Sequence, residues 1–89
     1  MINHEKNFFY IGESIENKKA FIEYALEDST MIIESTEVDK SLQGQGIAKT
    51  LLDEAVAYAR ANQLKIIPKC SYVKHKFEND DSYQDVWAK

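Results

Sequence analysis

The chain has 89 residues, 44% of them hydrophobic, with 11 Lys and Arg against 15 Asp and Glu and a formal net charge of −4. A chain of this length makes one domain with one core and one site, and it buries only about two-thirds of the surface its unfolded form exposes. The charge balance argues against general nucleic-acid binding, which needs a basic surface, and for a cationic partner such as an amine. Cys70 is the single cysteine, so no intrachain disulfide can form and a reducing compartment is expected. No run approaches the ~18 apolar residues of a membrane span, and Met1 to Asn7 lacks the apolar core of an export signal. A cytoplasmic protein is expected.

In chain order, Phe8 to Ile11 reads as a short aromatic strand and Gly12 to Asn17 as a polar turn. Lys19 to Glu27 alternates, with Ala20, Ile22, Tyr24 and Leu26 on one face and Phe21, Glu23 and Ala25 on the other. Glu27-Asp28-Ser29 makes a tight connection to Thr30 to Asp39. That strand is rich in β-branched residues, and strict alternation puts Ile32, Thr36 and Val38 on one face and Met31, Ile33 and Ser35 on the other. His4, ahead of these elements, falls in a segment expected to fray.

From Leu42 the period changes. Ile47, Leu51, Leu52, Ala55, Val56 and Ala59 form an apolar helical stripe within a helix predicted from about Gly46 to Asn62. Lys65-Ile66-Ile67-Pro68 follows as a short buried strand, which the helix joins in parallel to the strand before it. Pro68 has no N–H to give a neighbour, so pairing stops there. Ser71 to Glu78 carries Tyr72, Val73, Lys76 and Phe77 at helical spacing. The expected architecture is a small α+β fold in the order β-β-β-α-β-α, an antiparallel meander ending in a parallel pair that splays apart.

The run Gln43-Gly44-Gln45-Gly46-Ile47-Ala48 lies where the third strand gives way to the first helix. A glycine-rich turn at a helix start leaves N–H groups without intrahelical partners, gathered at the positive end of the dipole, and this makes a seat for an anion, most naturally a phosphate. Two known phosphate motifs fail here. A Walker-type loop needs glycine immediately before its Lys-Ser/Thr pair, and Ala48 precedes Lys49-Thr50. The dinucleotide fingerprint needs a third glycine where Lys49 stands.

Gln43, Gly46 and Ala48 do match the pattern Gln/Arg-x-x-Gly-x-Gly/Ala, which resembles the pyrophosphate motif of the GNAT superfamily of N-acetyltransferases. Lys65 to Val73, with its Pro68-Lys69-Cys70 segment, and Tyr83 to Val86 are similar to a short single-domain bacterial branch of that superfamily. The resemblance spans about Ile32 to Trp87. It implies acetyl-coenzyme A as cosubstrate and an amine acceptor; no metal is expected. It further implies that Gln43, Gly44, Gln45, Gly46, Ile47, Ala48 and Lys49 hold the pyrophosphate, that the backbone of Glu37, Val38 and Asp39 meets the pantetheine arm, and that the thioester points toward Thr36 and Cys70.

Cys70 is then the candidate nucleophile. It follows a strand and opens a helix, where the dipole together with Lys69 and Lys74 favours an anionic thiolate able to take the acetyl group. The bland alternative is a small apolar residue packed against the helix. Tyr72, the tyrosine nearest to Cys70, is the candidate acid for the departing thiolate, a role tyrosine often has in the superfamily. Ser35 stands where the branch often has histidine, and serine is no base near neutral pH unless activated. Glu34, Glu37 and His75 are alternatives, with Glu34 and Glu37 expected on opposite faces. The acidic run Glu78 to Asp81 lacks the glycine and spacing of a calcium loop and reads as a solvated turn. Three classes of function remain: an acetyltransferase, a noncatalytic acyl-coenzyme A binding module, and a structural domain whose glycine turn is only a turn. Without the helical insertion of larger superfamily members, the acceptor side is expected to be open in a monomer or weak dimer, suiting an amine on a larger partner.

Overall fold

The computed structural model describes residues 2–89. Among them, β1 (Asn3–Glu5), β2 (Phe8–Gly12), β3 (Lys18–Glu27), β4 (Thr30–Val38) and β5 (Lys65–Pro68) form one sheet in chain order. The first four strands pair antiparallel, and β5 pairs parallel to β4. Helix α1 (Ile47–Ala61) connects that parallel pair, and α2 (Ser71–Asn79) follows β5. Short 3₁₀ segments occupy Lys40–Leu42 and Asp81–Val86. No helix among the described residues is long and apolar enough to cross a membrane.

The six expected elements are all present, and β1 precedes them. Three residues are too few to show a period, so β1 is held by contacts that alternation does not reveal. The His4 ring stacks on Phe9 at 4.0 Å between centroids and meets the edge of Tyr58 at 4.7 Å. His4 Nε2 also hydrogen-bonds the Tyr24 hydroxyl. The expectation of a frayed start is thus corrected at His4. Burial of its ring lowers the imidazole pKa, and nearby Glu54 opposes the change.

β4 departs from strict alternation at one residue. It pairs with β3 as Tyr24 with Ile33 and then Glu23 with Ser35, so Glu34 has no partner and forms a β-bulge. One extra residue reverses the faces beyond it. Met31, Ile33, Thr36 and Val38 therefore share the face of their partners Leu26, Tyr24, Ile22 and Ala20, whereas alternation had set Met31 and Ile33 against Thr36 and Val38. Two further expectations change at strand ends. Leu26, beside the hairpin turn, is 50% exposed, and Ile67 is 39% exposed because β5 packs only its Ile66 side inward.

The core lies between this sheet face and the helices. Of the predicted stripe, Leu51, Leu52, Ala55, Val56 and Ala59 of α1 are buried with Ile22, Met31, Ile33 and Ile66, and Ile47, at the helix start, packs partly buried against them. Val73 and Phe77 of α2 join the same cluster. The C-terminal segment closes it: Tyr83 stacks on Phe77 at 5.2 Å, and Ala88 N–H donates to the Ile66 carbonyl at 2.8 Å. Arg60 grips Asp85 through two nitrogens at 2.7 and 2.9 Å, an exposed pair that water screens.

Candidate active site at the open edge of β4

β5 accompanies β4 only from Thr30 to Ile33, where Pro68 stands opposite Ile33. Pro68 has no N–H with which to continue the ladder. The chain turns away, and the Ile33 carbonyl accepts from both Lys69 N–H and Cys70 N–H at 3.1 Å. Ser35 to Val38 therefore keep β3 on one edge and have no strand on the other. An open cleft of about 330 Å³ lies beside this edge. Its walls are Val38, the segment Leu42–Gly44, the α1 start from Gly46 to Lys49, and Tyr72 and Lys76 of α2.

The loop that carries β4 into α1 is built for exposed N–H groups. Asp39 N–H donates to the Lys19 carbonyl at 2.7 Å, and the Asp39 carboxylate accepts from Ser41 N–H at 3.0 Å and Ser41 Oγ at 2.6 Å. The Ser41 bonds hold the Asp39 carboxyl below its ordinary pKa. Gly44 and Gly46 then adopt φ of 84° and 72°, which only glycine takes readily, and a Cβ at either would meet nothing within 4 Å. Gly46 caps α1 with its carbonyl, which accepts from Thr50 N–H and Thr50 Oγ1, but no side chain caps the helix start. The N–H groups from Gly44 to Lys49 find no backbone acceptor among the described residues. Unpaired N–H groups at a helix start are what the glycine run predicts.

Not every predicted contact faces the cleft. Gln43, Gly44, Gly46, Ile47, Ala48 and Lys49 line it with Val38, whereas Gln45, Glu37 and Asp39 do not. Glu37 sits opposite Phe21 on the sheet face turned away from the helices. Gln43 Nε2 donates to the Val38 carbonyl at 3.1 Å, so an internal donor already uses one of the acceptors on this edge. Leu42 and Lys76 line the cleft without having been singled out. Lys76 shares a face with Tyr72 one helical turn away, and that spacing was the available signal.

Lys49 ion-pairs with Asp53 at 2.8 Å, and the other Asp53 oxygen accepts from the Tyr83 hydroxyl at 2.6 Å. Burial raises the Asp53 pKa, but the Lys49 and Tyr83 hydrogen bonds outweigh it and hold the carboxyl below its ordinary value. Burial raises the Tyr72 phenol above its usual range, so Tyr72 stays protonated at neutral pH. Thr36 and Cys70 come together as expected: Cys70 Sγ donates to Thr36 Oγ1 at 3.4 Å. Cys70 is the half-buried N-cap residue of α2 and makes no side-chain capping bond. Thr36 is two residues from Val38, roughly 7 Å along the strand.

The candidate bases stand elsewhere. Glu34 faces Lys69 across 3.9 Å, Ser35 Oγ reaches Glu23 at 3.5 Å, and exposed His75 meets the side chain of Asn79. No carboxylate or imidazole is among the described residues lining the cleft. In the acidic run, the Asp80 carboxylate accepts from Ser82 N–H and Oγ and starts the second 3₁₀ segment.

A parallel pair parted beside a glycine-built helix start, on an otherwise antiparallel sheet, sets the fold in the α+β class. Residues 8–86 match the model of the GCN5-related N-acetyl-transferase family. The fold is also similar to the NMR solution structure of a GCN5-like protein from Staphylococcus aureus, with 44% identity and a TM-score of 0.84 over 99% of this chain and 87% of that one. The chain belongs to the GCN5-related N-acetyltransferase family, the acyltransferase class that its glycine run and Pro68-Lys69-Cys70 segment resemble.

Proposed function

We propose that the protein transfers an acetyl group from acetyl-coenzyme A to an amine, with the donor laid along the open edge of β4. The observation that carries this reading is the cleft beside the unpaired edge at Val38, which the glycine-built helix start lines, with the Thr36–Cys70 pair two residues back along the same strand. The diphosphate would occupy the helix start, where dipole and N–H groups favour negative charge. Of Glu37, Val38 and Asp39, the pantetheine amides would bond the strand edge at Val38, the one that lines the cleft, as an added strand does. The thioester would then lie at Thr36 and Cys70.

Two routes fit. In direct transfer a neutral amine attacks the thioester carbonyl carbon, the C–N bond forms, the C–S bond breaks, and the amine gives up a proton. Tyr72, kept protonated by burial, would donate to the departing thiolate. In the cysteine route the Cys70 thiolate attacks first and releases coenzyme A, and the amine then takes the acetyl group from the new thioester. In either route the amine proton goes to water. The open acceptor side suits an amine on a larger partner. The lack of a lining carboxylate or imidazole favours, as a second reading, a module that binds acyl-coenzyme A without turnover.

Incubation with acetyl-coenzyme A, followed by amide NMR and intact mass, separates these readings. Shifts concentrated at Val38 to Thr50, with one added acetyl group that Cys70→Ala abolishes, support the cysteine route. The same shifts without an adduct, but with an acetylated amine in an acceptor screen, support direct transfer. Shifts with neither product leave the binding module, and unchanged spectra at saturating ligand overturn the assignment.

A further inference from the structure

The cleft has a second wall whose charge the glycine-built seat does not account for. Lys49 from α1 and Lys76 from α2 both line it, as does Tyr72, one helical turn before Lys76. Two cations facing one cleft repel, and only one of them is neutralised directly: Lys49 by Asp53. Lys76 pairs with no carboxylate among the described residues, and its Nζ lies 5.7 Å from the Tyr72 ring centroid. Asp80 senses both lysines, but its carboxylate is tied to Ser82 N–H and Oγ. A diphosphate seated on the N–H groups of α1 has its charge met there, which leaves Lys76 available to a further anion on the same ligand.

We infer that Lys76, with Lys49 as its neighbour, forms a subsite for a phosphate monoester on the ribose of a nucleotide ligand, so that this chain distinguishes coenzyme A from its 3′-dephospho form. The inference rests on the proposed seating of the diphosphate at Gly44 to Lys49. A phosphate monoester carries a charge of about −1.5 to −2 at neutral pH and has three acceptor oxygens. A lysine on a flexible stem meets such a group as a point charge, without the fixed fork an arginine would impose. Lys76 lies in the last turn of α2, where its charge also complements the helix dipole. That structural role predicts a change in stability without any change in ligand preference.

The test is calorimetric titration of the full chain with coenzyme A and with 3′-dephospho-coenzyme A. Wild type is expected to prefer coenzyme A by about fivefold, the scale of one partly exposed charge pair. Lys76→Gln is expected to bring the two affinities within about twofold by weakening coenzyme A alone, Lys76→Arg to restore the preference, and Lys74→Gln to keep it. Amide spectra show that each variant is folded. Equal affinities in wild type, or an undiminished preference in Lys76→Gln, overturn the subsite while leaving the diphosphate seat in place. Failure of wild type to bind either ligand removes the seat and the subsite together.

Discussion

The two halves of β4 differ although they belong to one strand. From Thr30 to Ile33 both edges are paired, and Met31 and Ile33 are wholly buried. From Ser35 to Val38 one edge has no strand partner, and each residue keeps some exposure. The change comes within one residue, at the Glu34 bulge in β4 opposite the point where Pro68 ends β5. Backbone groups that would otherwise complete a ladder are left available to a ligand. On the proposed function, a packed strand becomes a binding strand when its neighbour ends, and no exchange of side-chain chemistry is needed.

Breaking the paired half should have the largest effect. Ile33→Ala removes a fully buried side chain from the centre of the core and should cost about 2–5 kcal/mol, read from denaturant midpoints. A chain of this length has only roughly 4–13 kcal/mol to lose. In the open half, Gly46→Glu should leave most of the fold intact, because a Cβ there meets nothing within 4 Å. Its carboxylate would occupy the anion seat, and acetyl-coenzyme A affinity should fall at least about a hundredfold, or ~2.7 kcal/mol. Gly46→Ala separates the causes: the positive φ alone costs about 1–2 kcal/mol of stability, with a far smaller loss of affinity. Undiminished binding by Gly46→Glu in a titration would sink the seat.

Deleting Glu34 sharpens the comparison. Because Glu34 is the extra residue, its loss leaves Ile33 opposite Tyr24 and Ser35 opposite Glu23 and keeps Thr36 and Val38 on the core face. The strand should straighten, with a modest loss of stability and about a tenfold loss of ligand affinity as the parting of β4 from β5 narrows. A deletion that binds like wild type would mean that Pro68 alone creates the cleft.

How much of this was legible depended on which force set each feature. The α1 stripe and the alternation of Ala20, Ile22 and Tyr24 follow from burial, which writes its period into the sequence, and the structure reproduces them. The glycine turn was legible because positive φ selects glycine. The bulge was not, because Glu34 differs in no way from a solvated strand residue until the pairing with β3 is known. β1 was hidden by its length, and His4 by a role that depends on Phe9, Tyr24 and Tyr58 arriving from elsewhere in the chain. Lys76 was read as part of a helical pattern; that it lines the same cleft as Lys49 is a tertiary fact.

The smallest expected effect lies at the residue that divides the two halves. Glu34 carries a carboxylate 3.9 Å from Lys69 Nζ, and both side chains are largely exposed. Such a pair is screened by water and contributes little, so Glu34→Gln should move stability by less than about 0.5 kcal/mol and leave acetyl-coenzyme A affinity unchanged. Set beside the deletion, this substitution decides whether the strand is divided by a charge or by a count of residues. A bulge acts through the backbone: one residue more on β4 than on β3 bends the strand, whatever side chain it carries. If Glu34→Gln lowered turnover without changing affinity, the carboxylate would be taking a proton from the acceptor amine, and Glu34 would belong to the chemistry of the open half.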